Sequence, residues 1–568
     1  MNRPKPRNPD ELSGFFDHYR SLRSRFATAL FSLNALAPAA ILLFTYFATG
    51  IALRLFADVP LHDDWTYAWS VEHFLKTGKL QVLDWSIHYP FAQILWGALF
   101  CLPFGFSFSA LRVSTVVFAW LGSLALYGTL REVGRTRTES LIASLVLIVN
   151  PVFYLLSFSF MTDVPFVSVS TIAFFFIVRG FSRTNALDLW IGCAFGVVGF
   201  FVRQLAIAIP GAVLLYVIFE PSLRSRRYLL PPLVASLLIC FTPYLIAHTM
   251  GLTSQYTARE WVLDKWLRQP ELGIPGLVRI MMHSGLALFP MTMPLLVASY
   301  YRRLRFWCVL GLLLLLTGCA ILFTPEIPRP LDGMWNLIAL GKERRLLRGL
   351  PDPDFLPAWS NYPLLAFALF SFAGIVIKVI DVTQIEKPLR LLAWYALSQF
   401  GLIMVVWLFD AWGSDRYSIV LLPPLIVLLA GPQLRSMTTS AGIAAIFLVA
   451  MLVTWSETQN NRAAAEALAW LRTRGIPFSE IDAGYALDGW YLYAHPENLA
   501  AGQIPDRDVP FVTTNERRPY VIATAPLEGY KLLGNYHWSI PLRSLKYNIY
   551  VLQALPMDPM EINNLSAE

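Results

Sequence analysis

Apolar residues in this chain come in blocks of about 17 to 23 residues, separated by short hydrophilic gaps. A helix of that length crosses the hydrocarbon core of a bilayer, whereas the strands of a membrane barrel would give shorter alternating runs. Only 15% of the residues are charged, against roughly 25% in an ordinary soluble domain. The sequence therefore predicts a polytopic α-helical membrane protein.

We predict about thirteen transmembrane helices from the length and hydropathy of these blocks. They run approximately over residues 35–56, 111–130, 141–156, 165–178, 187–202, 205–219, 229–249, 286–301, 306–323, 362–380, 391–409, 417–431 and 441–453. The stretch 91–102 is apolar but too short to span comfortably, and we predict that it lies at the membrane surface or re-enters.

The basic residues predict the orientation of the chain. Residues 1–33 are polar and basic, which indicates a cytoplasmic N-terminal segment by the positive-inside tendency. If 91–102 does not cross, the later basic gaps also fall inside, at 131–137, 179–183, 224–227, 302–305 and 378–390. The outer side then receives the large first loop at 58–110, three further segments at 157–163, 251–284 and 324–361, and the C-terminal region.

The composition changes after Trp455, where the long apolar blocks end. Residues 462–474 predict an amphipathic helix that Gly475 and Pro477 end. Apolar stretches between turn residues predict strands, at 490–493, 520–525 and 547–552. We therefore predict a transmembrane domain over 34–455 and a small α/β domain over 456–568.

Two acidic sites lie at the predicted outer ends of apolar helices. Asp63 and Asp64 follow the first helix, and Asp163 precedes a helix that opens at Pro165. A carboxylate at the edge of hydrocarbon is costly and is therefore a functional candidate. Such acids could hold a divalent cation, or one could act as a general base. The structural alternatives are a solvated turn for the pair and a helix cap for Thr162 or Asp163.

Four cationic or imidazole side chains are candidates to bind a phosphate on the same side. Arg203 and Arg416 are the stronger two, because a guanidinium offers a fork of donors that fits phosphate oxygens. Lys79 and His88, in the first outer loop, are weaker. Each arginine could instead be a snorkelling anchor, and Asp415 could pair with Arg416 structurally.

Other polar residues in predicted outer loops have simpler interpretations. Glu260 and His283 are expected to be solvated. The basic run 342–348 is either a solvated amphipathic helix or an anion-binding patch. The net charge of +7 is spread over many gaps, so nucleic acid is not an expected partner. No glycine motif for nucleotide phosphates is present, which disfavours a nucleotide-sugar donor.

Three short motifs carry a family resemblance over nearly the whole chain. They are the acidic pair with the following Tyr-Ala step at 63–68, the second acidic stretch at 161–165, and Asp-Arg-Tyr at 415–417 followed by two prolines at 423–424. The chain resembles the glycosyltransferase C superfamily, in particular the branch of protein O-mannosyltransferases and lipid A aminoarabinose transferases (glycosyltransferase family 39-like). It departs from the aminoarabinose branch at two places. The branch has Arg where this chain has Thr66, and it has a Glu-Lys pair before two prolines where this chain has Ile-His-Tyr-Pro at 87–90.

The resemblance implies a membrane glycosyltransferase that inverts stereochemistry and uses Asp63 as its base. The donor would be a polyprenyl-phosphate-linked sugar, and the acceptor a lipid, glycan or protein at the outer face of a bacterial-type inner (plasma) membrane. Membrane lipids are expected partners. A divalent metal ion is a candidate cofactor, with Asp63, Asp64 and Asp163 as its candidate ligands.

Two alternative functions remain open at this stage. A lipid-linked oligosaccharide polymerase or ligase would share the donor type but would depend on arginines of a late loop, such as Arg344 or Arg345. A multipass transporter or flippase would show repeats and polar residues at mid-membrane. The acids of this chain instead crowd the outer helix ends.

Overall fold

The structure of the protein, a computed structural model, is mainly helical and ends in a small β-sheet, as predicted. It describes residues 33–86, 88–220, 230–249, 273–298, 302–323, 347–349, 357–385, 387–409, 415–503, 518–539 and 546–556.

The α-helices are named here in chain order. The first eight are α1 (Leu33–Ala52), α2 (Asp64–Thr77), α3 (Phe91–Cys101), α4 (Phe108–Glu132), α5 (Arg137–Ile148), α6 (Pro151–Ser157), α7 (Asp163–Arg183) and α8 (Ala186–Phe200). The others are α9 (Ala208–Phe219), α10 (Leu230–Thr249), α11 (Gly273–Ala298), α12 (Leu304–Phe323), α13 (Asn361–Ile385), α14 (Lys387–Phe409), α15 (Leu422–Leu429), α16 (Met437–Arg472) and α17 (Tyr485–Asp488).

Six helices of the described residues are long and apolar enough to cross a bilayer. They are α4, α7, α16 and the greater part of α11, α12 and α13. The pair α5 and α6, bent by 72°, would make a seventh span, and several shorter apolar helices accompany them. Each predicted transmembrane run contains a helix, which identifies a multipass membrane protein, while the number of thirteen crossings stays a prediction.

α1 ends in a backbone motif that usually contains glycine. The amide of Leu55 donates to the carbonyl of Gly50 at 2.8 Å, and the amide of Arg54 donates to that of Ile51 at 3.1 Å. This is the Schellman pattern, in which the residue at the Arg54 position adopts a left-handed conformation. Arg54 has a φ of 54°. For a residue with a Cβ, this conformation costs on the order of 1–2 kcal/mol.

The predicted helix 141–156 is broken into α5 and α6. Asn150 ends the first part because its side chain accepts hydrogen bonds from the amides of Val152 (3.1 Å) and Phe153 (3.0 Å). Pro151 at the first position of α6 favours the same break. The break turns the chain so that the segment after α6 reaches back to α2.

Close helix contacts hold α4, α7 and α8 together. A Cβ on Gly122 of α4 would lie 2.7 Å from the Cα of Ser168 of α7. A Cβ on Gly192 of α8 would lie 2.9 Å from the carbonyl oxygen of Ala173 of α7. Small residues let membrane helices approach this closely. Asp163 at the start of α7 and Arg203 just after the end of α8 are therefore fixed relative to each other.

α16 is one continuous helix of 36 residues, so the domain boundary predicted at 455/456 falls inside it. Hydropathy drops after Trp455, but no Gly or Pro interrupts the sequence before Gly475, and polarity alone does not end a helix. The amphipathic helix predicted from Arg462 is the last third of α16.

The C-terminal sheet has the strand order β1-β2-β4-β3. The strands are β1 (Ile481–Asp482), β2 (Tyr520–Ala523), β3 (Tyr530–Ser539) and β4 (Lys546–Ala554). β1 is parallel to β2, and the other neighbours are antiparallel. Ala467 and Leu471 of α16 share one buried cluster with Ile522, Tyr547 and Val551 of the sheet.

Two of the three predicted strands are confirmed, and one is wrong. β2 and β4 match the predictions at 520–525 and 547–552. Residues 489–493 instead form a π-helical turn directly after α17. A short apolar run does not distinguish a strand from a buried helical turn by its pattern alone.

The predicted outer loop 251–284 is partly helix. α11 begins at Gly273, whereas the predicted helix began at 286. The prediction started too late because Arg279 and His283 interrupt the apolar run without interrupting the helix. His283 is buried rather than solvated, whereas residues 251–272, which include Glu260, lie outside the described residues. The stretch 91–102, predicted as a non-spanning piece, contains the 11-residue helix α3.

Candidate active site

Asp63 precedes α2 but does not cap it, since its side chain makes no cap hydrogen bond. Its Oδ2 lies 3.0 Å from Nη1 of Arg416, and its Oδ1 accepts a hydrogen bond from the hydroxyl of Tyr485. Burial by itself would raise the pKa of Asp63, but Arg416 and the Tyr485 hydroxyl outweigh it and hold this pKa below its usual value. Asp63 is therefore an ionised carboxylate whose two oxygens are both held.

Asp64 points the other way, into the protein. It is fully buried and accepts hydrogen bonds from the amides of Leu61 at 2.7 Å and Phe160 at 3.4 Å. Burial raises the pKa of Asp64 to about 7, against the opposing effect of the Arg112 guanidinium at 3.8 Å. These contacts join the first outer loop to the segment after α6.

Asp163 and Arg203 form a second buried pair. Nη1 of Arg203 lies 2.9 Å from Oδ1 of Asp163, and its Nε donates to Oγ1 of Thr162 at 2.7 Å. Arg203 sits in the short break between α8 and α9, and Asp163 begins α7. Neither Thr162 nor Asp163 makes the side-chain cap hydrogen bond that the structural alternative required.

The ring of Tyr417 joins the two pairs. The guanidinium carbon of Arg203 lies 5.5 Å from the ring centroid, and that of Arg416 lies 5.3 Å from it. Both distances are within the range of cation–π attraction. The structure thus brings Asp63, Asp163, Arg203 and Arg416, which were predicted from the sequence to lie on one side of the membrane, into one cluster around Tyr417 of the Asp-Arg-Tyr motif.

His88 and Lys79, the weaker candidates, differ in position. His88 is half-buried, and burial together with the nearby charges of Arg203 and Arg416 holds its pKa well below the usual value. Its neutral imidazole therefore borders the cluster. Lys79 is exposed beyond Gly78, which ends α2, and its backbone amide donates to Oγ1 of Thr77.

His62 connects the acidic pair to α16. It has a φ of 53° and is buried, and its Nε2 lies 3.9 Å from Oε1 of Glu457. Burial lowers the pKa of His62 to about 4. The contact with Glu457 is therefore made by a neutral imidazole.

The carboxylates of the cluster do not fit a metal site formed by three protein ligands. In the described part of the chain, no group of three or more His, Cys, Asp or Glu side chains is placed to hold a metal ion. Asp63 and Asp163 are each paired with a guanidinium, and Asp64 is turned towards backbone amides. The divalent metal ion stays a prediction.

The C-terminal domain supplies Tyr485, which nothing in the sequence indicated. The ring of Trp65 makes an edge contact with that of Tyr485, at a centroid distance of 6.2 Å. A Cβ on Gly489 would lie 2.4 Å from the Trp65 ring, and the hydroxyl of Tyr493 donates to Asp84 at 2.9 Å. The segment 485–493 is therefore seated directly on the first outer loop, over the acidic pair.

The basic run 342–348 is described only at its end. Nε of Arg348 lies 2.7 Å from Oδ2 of Asp482, and its carbonyl accepts from the amide of Thr524 at 2.8 Å. Arg348 is thereby tied to the C-terminal sheet. Lys342 lies outside the described residues, as do Arg344 and Arg345, on which the polymerase or ligase alternative depends.

Comparison with known proteins gives one family match. Residues 88–246 match the family model described as dolichyl-phosphate-mannose-protein mannosyltransferase. The predicted resemblance to the protein O-mannosyltransferase branch is therefore confirmed over this part of the chain, which includes Asp163 and Arg203. No curated protein sequence matches the chain.

Three solved structures are among those similar to this chain. ArnT from Cupriavidus metallidurans in the apo state is 13% identical, with 92% of this chain and 100% of that chain covered and a TM-score of 0.40. The same protein bound to undecaprenyl phosphate is 12% identical, with coverages of 91% and 97% and a TM-score of 0.38. The Archaeoglobus fulgidus oligosaccharyltransferase is 14% identical, with coverages of 88% and 61% and a TM-score of 0.41.

Proposed function

We propose that this protein is a glycosyltransferase that moves a sugar from a polyprenyl-phosphate donor to an acceptor hydroxyl at the outer face of a bacterial-type inner membrane. The observation that carries the proposal is the cluster of two carboxylate–guanidinium pairs around Tyr417, at the ends of apolar helices. The family match supports a donor of the lipid-phosphate-sugar class. Sidedness follows the positive-inside prediction.

Arg203 and Arg416 bind the donor phosphate in this proposal. Both guanidiniums flank one ring, so a phosphate beside Tyr417 is within reach of two forks of donors. Asp163 orients Arg203 through a direct ion pair. The neutral His88 can add a hydrogen bond without adding charge. Preorganised cations of this kind stabilise the negative charge that develops on a departing phosphate.

Asp63 acts as the base. An acceptor hydroxyl attacks the anomeric carbon, and its proton passes to Asp63. The new oxygen–carbon bond forms as the bond from that carbon to the phosphate oxygen breaks, and the electron pair leaves with the lipid phosphate. Direct displacement inverts the stereochemistry. Arg416 and Tyr485 hold the carboxylate in a fixed orientation, so Asp63 needs little rearrangement when it accepts the proton.

The test is turnover of a lipid-linked sugar by the full chain in proteoliposomes. Asp63→Asn removes the base while keeping the size of the side chain, and the expected loss is about 10²- to 10⁴-fold. Glu480→Gln is the matched control, because Glu480 is an exposed acid of the C-terminal domain. Native mass spectrometry of the purified protein would identify a copurifying lipid phosphate sugar.

Activity of a folded Asp63→Asn variant within threefold of wild type would exclude Asp63 as the base. Transport of the lipid-linked sugar into sealed vesicles, without any glycosyl product, would favour the transporter alternative instead. Loss of activity in Arg344→Gln, with retention in Asp63→Asn, would favour the polymerase or ligase alternative.

A further inference from the structure

An open groove of about 600 Å³ lies beside the C-terminal end of α1. Its walls are the end of α1 with the segment that follows, the start of α4, and the outer third of α16. Its volume is within the range of small-molecule sites, about 300–1,000 Å³. Asp63, Asp163, Arg203 and Arg416 do not line it, so the groove is separate from the candidate active site.

Two arginines line this groove without a partner in the described part of the chain. Arg54 comes from the segment after α1 and Arg462 from α16, and neither guanidinium makes a hydrogen bond or ion pair with the described residues. Two carboxylates also line the groove: Asp58, whose Oδ1 accepts a hydrogen bond from the amide of Phe108 at 2.7 Å, and the exposed Glu466, one turn after Arg462 on α16. The groove therefore presents two guanidiniums next to two carboxylates, of which Asp58 is already engaged by the backbone.

The backbone at Arg54 adds an independent observation. Arg54 occupies the left-handed position of the Schellman motif that ends α1, where glycine is the usual residue. The protein bears the strain of a side chain at this position although its guanidinium makes no hydrogen bond or ion pair with a described residue. An anion bound by that guanidinium would offset the strain.

The position of the groove indicates which anion is available. The apolar part of α1, Leu36–Ala52, ends two residues before Arg54, so Arg54 lies at the boundary of the apolar run, where lipid headgroups are expected. Ile51, on the same wall, is 68% exposed, which is expected of a side chain that faces lipid. The groove thus opens to the headgroup region of the bilayer.

We propose that this groove binds the phosphate of a membrane phospholipid between Arg54 and Arg462. The bound lipid joins the end of α1 to α16. It also braces the segment that leads to the acidic pair, because the carbonyl of Val59, a groove residue, accepts a hydrogen bond from Arg112, which in turn contacts Asp64. Binding of this lipid is independent of the proposed transfer reaction.

The experiment titrates the purified full chain with phosphatidylglycerol and follows bound lipid by native mass spectrometry and the melting temperature. The other titrants are a diacylglycerol with the same chains and inorganic phosphate. Arg54→Gly removes the guanidinium and relaxes the backbone, so this variant keeps the fold. Arg462→Gln removes the second cation. Lys531→Gln, an exposed change in β3, is the control.

Wild type and Lys531→Gln are expected to bind the phospholipid and to melt at a higher temperature with it. Arg54→Gly and Arg462→Gln are expected to bind it at least fivefold more weakly, with Arg54→Gly losing the lipid-dependent rise in melting temperature while melting no lower than wild type without lipid. Arg203→Gln, in the candidate active site, should retain this lipid.

Four results would overturn the proposal. Equal binding of phospholipid by wild type and Arg54→Gly would show that the guanidinium holds no lipid. Equal binding of diacylglycerol would show that the phosphate is not recognised. Displacement of the lipid by millimolar inorganic phosphate, or its loss only in Arg203→Gln, would assign the bound species to a soluble anion or to the active-site cluster.

Discussion

Asp63 and Asp64 are neighbours in the sequence but lie in opposite environments. Asp63 is held by groups from distant parts of the chain, Arg416 and Tyr485, and its pKa is lowered. Asp64 is completely buried, accepts hydrogen bonds from two backbone amides, and has its pKa raised to about 7 by burial. An acidic pair in a sequence therefore need not act as a pair.

The contrast separates chemistry from architecture. An ionised carboxylate that is partly accessible beside the Arg416 guanidinium can accept a proton from a substrate. A fully buried carboxyl group that accepts from backbone amides holds two segments together, and its removal leaves those amides without an acceptor and Arg112 without its counter-ion. The sequence alone placed both acids among the catalytic candidates, and only the directions of their side chains distinguish them.

The largest effect on stability is expected for Asp64→Ala. It leaves Arg112 as a buried charge without its counter-ion, a change that typically costs about 3–5 kcal/mol. Asp63→Ala should cost less, because the Asp63 side chain is 27% exposed and its partner Arg416 is 18% exposed. Thermal melting of both variants in the same detergent measures the difference. Equal melting temperatures would contradict the division of roles between the two acids.

A moderate effect is expected for Tyr485→Phe, which removes the hydroxyl that donates to Asp63. A hydrogen bond to a charged group contributes about 1.5–3 kcal/mol, so a loss of roughly tenfold or more in turnover is expected. Because this hydroxyl lowers the pKa of Asp63, its removal raises that pKa and moves the acidic limb of the pH–activity profile to higher pH.

Tyr493→Phe is the matched control for that variant. The hydroxyl of Tyr493 lies in the same segment but donates to Asp84, not to Asp63. Tyr493→Phe should weaken the packing of the segment 485–493 on the first outer loop without moving the acidic limb of the pH–activity profile. An unchanged limb in Tyr485→Phe, or an equal shift in both variants, would mean that Tyr485 is structural only.

The smallest effect concerns pH and the segment that carries Tyr485. The imidazole of His495 lies 3.3 Å from Glu72 of α2 and 3.0 Å from Glu497, and its hydrogen bond to Glu72 is the main cause of its raised pKa. The stabilising contact is complete below about pH 6.5, the ordinary value for histidine, and is lost as the pH rises through the raised pKa.

The melting temperature of wild type should therefore fall slightly between pH 6 and pH 9, by the equivalent of less than about 1 kcal/mol. His495→Gln should not show this component. The same pH dependence in both proteins would show that the contact between His495 and Glu72 does not stabilise the C-terminal segment on the first outer loop.

The sequence predicted the apolar helices and the charged candidates at their outer ends for a common physical reason. Hydrocarbon tolerates only long apolar segments, and charges at their ends are costly enough to be informative. Asp163 and Arg203 could be found in this way although 40 residues separate them in the chain. Their catalytic and binding roles remain predictions.

Other features could not be predicted because they depend on contacts between distant segments. Tyr485 is 422 residues from Asp63, and a lone tyrosine in a soluble domain carries no signal of such a contact. The direction of Asp64 depends on the amide of Phe160, 96 residues away. The continuity of α16 was missed because a change in hydropathy marks the membrane boundary and not the end of a helix.

The length of α16 has a mechanical consequence. Its 36 residues extend about 54 Å, and its outer third packs on the sheet that leads to Tyr485. A tilt of about 5° at one end would carry the other end by roughly 5 Å, which exceeds the length of a hydrogen bond. Bilayer thickness influences the tilt of long helices. A change in thickness would therefore alter the hydrogen bond between Asp63 and Tyr485, although Tyr485 lies outside the hydrocarbon.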